Sequence, residues 1–251
     1  MPQPPIYAWR AVFGAILATA GIFITATIIG ALLTTVFDRL QVPGGFEGGS
    51  AGASGITAAR LAVFLGAFQI AAATLAVGMA RFFGAAGRTP LAAVPIRGGG
   101  RALVTYALLL LGLAAAFTAV VSLVAREALR NDLLLFRDVL ASDAWWSVAL
   151  AAVIGAPIAE ELVFRGLLYG VLRASPLGQV VGAAVTALAW AGVHAQYSGY
   201  GIAGIFLIGL YLAWVREKTG SVFGPMVCHA VYNATVLAIL LLAPTRLLEA
   251  G

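Results

Sequence analysis

The sequence predicts an all-α protein, a polytopic transmembrane helical bundle of about seven (six to eight) spanning helices with one interfacial amphipathic helix. Of the 251 residues, 62% are hydrophobic and only 10% are charged, and the mean hydropathy is +1.00. Apolar runs long enough to cross a bilayer recur along the chain, with charged residues at their ends. This composition excludes an ordinary soluble domain. We treat residues 1–251 as a single membrane domain.

The apolar runs place the spans in order along the chain. They cover residues 11–37, 57–80, 102–125, 145–173, 176–195, 201–216 and 221–243. The stretch 126–143 mixes leucines with charged residues, and this pattern predicts the interfacial helix. That helix could serve as a solvated cap or as a gate. Glycine and serine are frequent in residues 43–55, which predicts a loop between the first two spans.

The positive charge of the chain points to membrane lipids rather than to nucleic acid. The sequence pI is about 9.8, but the basic residues lie at helix ends instead of on one domain. The loop after the second span carries four arginines and no acid: Arg81, Arg88, Arg97 and Arg101. By the positive-inside rule we expect this loop and the N-terminus in the cytoplasm, in a multi-pass protein of the cell (inner) membrane.

Three ionisable residues lie inside the fourth span. A charge near the bilayer centre costs about 2.5–3.5 kcal/mol on the insertion scale, so each needs a partner or a function. Glu161 and Arg165 are four residues apart with the acid first, the favourable order for an ion pair on a helix. Glu160 points about 100° away from Glu161 and has Phe164 as its i+4 neighbour. The helix therefore offers Glu160 no cation, and its partner must come from another segment.

The chain has two histidines, both in apolar surroundings. His194 closes the fifth span, and His229 lies in the seventh span with Asn233 one turn later. A single histidine in a span is often only a hydrogen-bond partner of a neighbouring helix. Here, however, the deep acids and the deep histidines are confined to three spans. This distribution predicts one buried site shared by these spans.

Two prolines lie beside these polar residues. Pro157 precedes Glu160, and Pro225 lies one turn before His229. Because proline lacks an N–H, we expect both to kink their helices, which favours a hydrated cavity. Cys228 next to His229 suggests a cysteine nucleophile, but adjacent helical residues point about 100° apart, which argues against such a pair.

Three motifs, in this order, resemble those of the CAAX prenyl endopeptidase and bacteriocin-processing family, also called CPBP or Abi. They are Glu160, Glu161 and Arg165 for EExxxR, Trp190 and His194 for an aromatic residue followed by xxxH, and His229 and Asn233 for HxxxN. The second motif is usually FxxxH, so Trp190 replaces the usual phenylalanine. The resemblance covers about residues 145–240, the expected catalytic core, whereas residues 1–144 resemble only generic membrane helices.

The resemblance implies an intramembrane protease, a hydrolase that cleaves a membrane-associated peptide or protein, including one that carries a lipid. Peptide hydrolysis needs an activated water, oxyanion stabilisation and a proton for the leaving amine. We assign Glu160 as the general base and His194 as the residue that shares its water. His229 and Asn233 are assigned to the oxyanion. The supporting residues are Glu161, Arg165 and Trp190.

Two alternatives remain open. In the first, Glu160, His194 and His229 bind a divalent metal such as zinc. This version leaves Glu161, already paired, as the only spare carboxylate base, so we favour metal-free catalysis with no cofactor. In the second, the protein is not an enzyme but a peptide-binding scaffold, an immunity protein or a proton-coupled carrier. A carrier should show inverted repeats or a relay of ionisable residues, and the sequence shows neither.

Overall fold

The computed structural model describes residues 5–40, 58–83, 97–142 and 145–242, and within these ranges the chain forms helices and no strand. The helices are α1 (Pro5–Arg39), α2 (Ala58–Phe82), α3 (Gly99–Val124), α4 (Arg126–Leu134), α5 (Arg137–Leu140), α6 (Trp145–Leu172), α7 (Gly178–Gly192), α8 (Gly199–Thr219) and α9 (Phe223–Leu242). The predicted fold class is therefore confirmed. The loop expected at residues 43–55 lies outside the described ranges.

Six of these helices are long and apolar enough to cross a membrane: α1, α2, α3, α6, α8 and α9. The fifth expected span, residues 176–195, is instead the 15-residue helix α7. At about 1.5 Å per residue it is about 22 Å long, against about 30 Å for the hydrocarbon core. Gly178 opens it with a left-handed φ of 68°, and the chain turns again from Val193. His194 consequently lies in a turn after a short helix.

The interfacial stretch is interrupted where the sequence predicted one helix over residues 126–143. It forms the short helices α4 and α5, with a turn at Leu135–Phe136 between them. Helix α4 contacts α3 and α8 and has no fully buried residue. Helix α4 exposes charged residues such as Arg126 and Glu127, as expected for an amphipathic helix.

Helices α1 and α2 pack closely along small side chains. Ala15, Ala26 and Ala72 are at most 1% exposed, and a Cβ added at Gly30 would lie 2.9 Å from the Phe64 ring. Small residues allow this approach of two backbones, which is how membrane helices associate without a hydrophobic driving force. Helix α6 then packs against this pair and also contacts α7, α8 and α9, so it occupies the centre of the bundle.

The expected kink at Pro225 is absent. Helix α9 begins at Phe223, so Pro225 lies in its first turn. There a missing N–H removes no intrahelical hydrogen bond, and the fixed φ of proline suits the helix. The prediction was wrong because it began this span two residues too early.

Candidate functional site

Helix α6 is not a regular α-helix around its acidic residues. π-Helical turns over Ala151–Gly155 and Leu162–Leu168 flank the α-helical turn Ala156–Glu161. In the first of them the Ala156 N–H donates to the carbonyl of Ala151, five residues earlier. Such π-helical insertions are frequent at functional sites. They widen the helix on both sides of the two glutamates.

Asn233 satisfies the carbonyl that Pro157 leaves without a donor. The next π-helical bond would run from residue 157 to the carbonyl of Ala152, but proline has no N–H. The side-chain Nδ2 of Asn233 donates to this carbonyl at 2.8 Å. The amide of Asn233 has a second N–H. The distortion expected at Pro157 therefore takes the form of a π-helical turn held by α9.

Gln69 of α2 binds the same irregular turn, and the sequence analysis missed it. Its Nε2 donates to the Ala151 carbonyl at 3.1 Å, and a Cβ at Gly155 would overlap its Oε1 atom. Glycine is thus required where the amide approaches the helix. The sequence did contain a sign of this role, because Gln69 is the one amide side chain in the second expected span.

Glu161 is fully buried and paired with two cationic or titratable groups. Arg165 Nη1 donates to Glu161 Oε1 at 2.9 Å, as the i, i+4 spacing predicted. His229 Nδ1 lies 3.1 Å from the same oxygen. Because a carboxylate oxygen accepts, this contact places a proton on Nδ1 of His229. The structure therefore joins His229 to Glu161 and not to Glu160.

Arg165 is also completely buried, with no exposed side-chain surface. Its Nη2 donates to the carbonyl of Gly209 in α8 at 3.1 Å. Its guanidinium carbon lies 4.6 Å from the centre of the Trp190 ring. A carboxylate, a carbonyl and an aromatic face thus surround the cation, as a charge buried in a membrane protein requires.

Glu160 is half-buried and has a different environment from its neighbour. The indole N–H of Trp190 donates to Glu160 Oε2 at 2.6 Å. A charge-assisted hydrogen bond of this kind is stronger than a bond between neutral groups. The partner that the sequence required from another segment is therefore a neutral donor on α7, not a cation.

His194 is oriented by the same tryptophan residue. Its Nδ1 lies 2.8 Å from the backbone carbonyl of Trp190, and since a carbonyl can only accept, Nδ1 carries the proton. In neutral His194 the lone pair is then on Nε2. The rings of His194 and His229 each lie 5.4 Å from the Trp190 ring, in edge-to-face contact. Glu160 and both histidines are thus connected through Trp190.

The turn after His194 contacts the interfacial helix. Asp132 of α4 accepts from the Ser198 N–H at 2.7 Å and from the Ser198 hydroxyl at 2.8 Å. In the same turn, the Tyr197 ring lies 6.2 Å from the His194 ring. Burial, with Tyr232, Asp132 and Glu160 nearby, raises the pKa of Tyr197, so its phenol stays protonated at neutral pH. No sequence pattern assigned a role to Asp132 or Tyr197.

Arg216 is buried in the protein, although it is the last residue of the predicted span over residues 201–216. It is 3% exposed, and its Nε donates to the Arg165 carbonyl at 2.8 Å. Beside it, Glu217 pairs with Arg173 at 2.7 Å. The helix continues to Thr219, so Arg216 lies inside the bundle where a neighbouring carbonyl needs a donor.

These contacts define a class of protein: a multi-pass helical membrane protein that buries carboxylate, imidazole and guanidinium groups in one connected cluster. Residues 142–235 match the family described as Rce1-like, type II CAAX prenyl endopeptidase. The matched segment contains all seven residues of the three motifs. It therefore supports the CPBP/CAAX intramembrane protease family that the motifs indicate.

One curated relative matches part of the chain. An Escherichia coli protein described as "Uncharacterized 24.3 kDa protein" is 33% identical over 93 residues, which is 36% of this chain and 42% of that protein. The chain thus spans less than half the length of this relative. No solved structure gives a significant match.

Proposed function

We propose that this protein is an intramembrane endopeptidase that hydrolyses a peptide bond of a membrane-associated peptide or protein. The different surroundings of two adjacent carboxylates carry the proposal. Glu161 shares one oxygen between Arg165 and His229, and it is fully buried. Glu160 is half-buried and receives a single donor, the Trp190 indole. Each carboxylate keeps a second oxygen that receives no hydrogen bond from the described residues, but that of Glu161 is buried, whereas Glu160 is partly open. Water therefore reaches Glu160 more readily than Glu161.

In the proposed mechanism, Glu160 Oε1 and the Nε2 lone pair of His194 bind the attacking water. Glu160 takes one proton from it as the oxygen attacks the carbonyl carbon, and then passes this proton to the leaving amine. The developing oxyanion needs donors. Asn233 has one N–H beyond its bond to Ala152 and can supply it. His229 donates through Nε2 only as an imidazolium, since Nδ1–H already binds Glu161.

Glu161 and Arg165 satisfy each other inside the bundle. Arg165 donates to Glu161 at 2.9 Å, and both side chains are fully buried. An unpaired charge in a low-dielectric interior is costly. We therefore propose a supporting role for this pair.

A metal version of the site uses the remaining donor atoms of Glu160, His194 and His229. Both imidazoles have their Nδ1 bound to an oxygen, an orientation that metal-ligating histidines also show. Within the described residues, however, no three His, Cys, Asp or Glu side chains are grouped so that they could hold a metal ion. The metal version also leaves Glu161, which binds Arg165 and His229, as the carboxylate base, and for this reason we propose the metal-free reaction. Metal analysis of the purified protein and cleavage in the presence of a chelator distinguish the two versions.

The substrate class follows from the membrane location and from the matched family. We propose a peptide or protein substrate at the membrane, including one with a prenyl group, in contact with membrane lipids and without nucleic acid. We also propose the cell membrane as the location, with the N-terminus and the basic loop around Arg81, Arg97 and Arg101 in the cytoplasm. Reporter fusions before α1 and after α2 test this orientation.

The test of the activity is a cleavage assay in nanodiscs with a quenched-fluorescent peptide library, made with and without a prenyl group. We expect the parent protein to cleave, and Glu160→Gln to lower cleavage by about 10²- to 10⁴-fold, the usual contribution of a general base. Glu127→Gln on the exposed face of α4 is the matched control and should cleave as the parent does.

Two results would contradict this proposal. If Glu160→Gln cleaves as fast as the parent, Glu160 is not the general base. A parent protein that binds peptides but cleaves no member of either library, with binding retained in His194→Ala, would establish a peptide-binding scaffold instead.

A further inference from the structure

Trp190 lies at the centre of the site, in contact with Glu160 and Arg165 of α6. It is 3% exposed. Its indole N–H donates to Glu160 Oε2 at 2.6 Å, and the Arg165 guanidinium carbon lies 4.6 Å from its ring centre. The rings of His194 and His229 meet its ring edge-to-face. One side chain thus contacts four charged or titratable residues.

The indole provides a donor that phenylalanine, the usual residue of this motif, lacks. The Arg165 guanidinium donates to Glu161, and a half-buried glutamate without a fixed hydrogen bond samples several rotamers. A short hydrogen bond to Oε2 selects one rotamer and leaves Oε1 as the oxygen that can bind water. The cation of Arg165 over the ring face is attracted by the indole quadrupole, which holds the ring in place.

The backbone of the same residue sets the orientation of the second group that would bind the water. The Trp190 carbonyl accepts from Nδ1 of His194 at 2.8 Å. Its helix α7 therefore holds Glu160 through a side chain and His194 through a carbonyl. Any shift of this residue moves the two groups together.

We propose that Trp190 is a positioning residue: its indole N–H holds the Glu160 carboxylate in the rotamer that presents Oε1 to the water shared with His194. This inference rests on the proposed hydrolytic function. Where the motif usually has phenylalanine, Trp190 thus adds a hydrogen bond that phenylalanine cannot make.

The first experiment replaces Trp190 with 3-benzothienylalanine, which keeps the shape of indole and exchanges only the N–H for sulfur. We expect kcat to fall by about 10- to 100-fold, the effect of losing a hydrogen bond to a charged group, with KM within about two-fold. Trp190→Phe should show the same direction. The matched control is the same replacement at Trp214, which packs edge-to-face on Tyr106 outside the site and should leave kcat unchanged.

The second experiment observes the bond without relying on turnover. In ¹⁵N-tryptophan-labelled protein in micelles, the indole resonances are assigned by substituting each of the five tryptophans in turn. We expect the Trp190 indole proton to resonate far downfield and to move upfield in Glu160→Ala, while the Trp214 resonance stays in place.

The outcomes separate this inference from the proposed function. Parent-like kcat in the benzothienylalanine variant, together with an inactive Glu160→Gln, overturns the role of Trp190 and leaves the protease proposal standing. If the chemical shift of the Trp190 indole proton is unchanged in Glu160→Ala, the hydrogen bond between Trp190 and Glu160 is contradicted. If the parent cleaves no peptide, the positioning role fails with the proposed function, whatever the resonance shows.

Discussion

The two halves of the chain bury different kinds of side chain. Between α1 and α2 the buried surface consists mainly of small residues such as Ala15 and Ala72, with phenylalanine rings such as Phe23 and Phe68 in contact at 5.6 Å. In the second half, from α6 to α9, the fully or nearly fully buried residues include charged and titratable ones. They are Glu161, Arg165, Arg216 and His229.

This difference fits the proposed chemistry in the second half and a supporting role for the first half. Small residues in a membrane bundle stabilise it through close packing of backbones. Buried charges cost free energy even when they are paired, so packing alone does not explain them. Each charged group of the second half has a partner on another turn or helix, which holds it in one position. The first half packs along α6, and the side-chain hydrogen bond of Gln69 to the Ala151 carbonyl makes the comparison testable.

The largest effect is expected from breaking the buried ion pair of the second half. Arg165→Met leaves Glu161 without its guanidinium and should lower the free energy of unfolding by about 3–5 kcal/mol. The double variant Glu161→Leu with Arg165→Met should recover most of this loss. Thermal unfolding of the purified protein in detergent gives both values. Equal losses in the single and double variants would contradict the pairing.

A smaller effect is expected where the first half touches the site. Gly155→Ala adds a Cβ that overlaps the Gln69 side chain, so the amide must leave the Ala151 carbonyl. We expect a loss of about 1–3 kcal/mol, and a similar loss for Gln69→Ala. The double variant should lose little more than either single one, because both remove the same contact. Additive losses in the unfolding assay would mean that the two residues act separately.

The contact between the interfacial helix and the His194 turn should matter less. Asp132→Ala removes both acceptors of Ser198 and should cost about 1–2 kcal/mol, with a fall of a few-fold in kcat/KM as the turn loosens. Asp132→Asn retains one carbonyl acceptor and should recover part of the loss. Cleavage and unfolding are measured in parallel on the two variants. If both behave as the parent does, α4 has no influence on the His194 turn.

The smallest effect is expected on the lipid-facing surface of the first half. Leu108 in α3 is 62% exposed, and on a spanning helix we expect such a side chain to face the hydrocarbon. Leu108→Ala should change the free energy of unfolding by no more than about 0.5 kcal/mol. A loss comparable to that of Gly155→Ala would show that this face of α3 is covered by protein.

Local patterns were sufficient for part of the site. The apolar runs predicted a polytopic helical bundle, and the i, i+4 spacing predicted the ion pair of Glu161 with Arg165, because both depend only on neighbours along one helix. The sequence also predicted that Glu160 takes a partner from another segment, and the Trp190 indole is its hydrogen-bond partner. The concentration of acids and histidines on three spans also predicted that these helices meet, although it could not say which atoms would touch.

The pairing across helices was decided by the tertiary structure alone. His229 binds Glu161, Asn233 binds the carbonyl left free by Pro157, and the Trp190 indole binds Glu160. These contacts depend on the π-helical turns of α6 and on the shortness of α7, which rotate and shift side chains relative to a straight helix. A sequence determines which groups must find partners in the membrane. Which partner each group finds depends on helix rotation and depth, and only the packed bundle sets these.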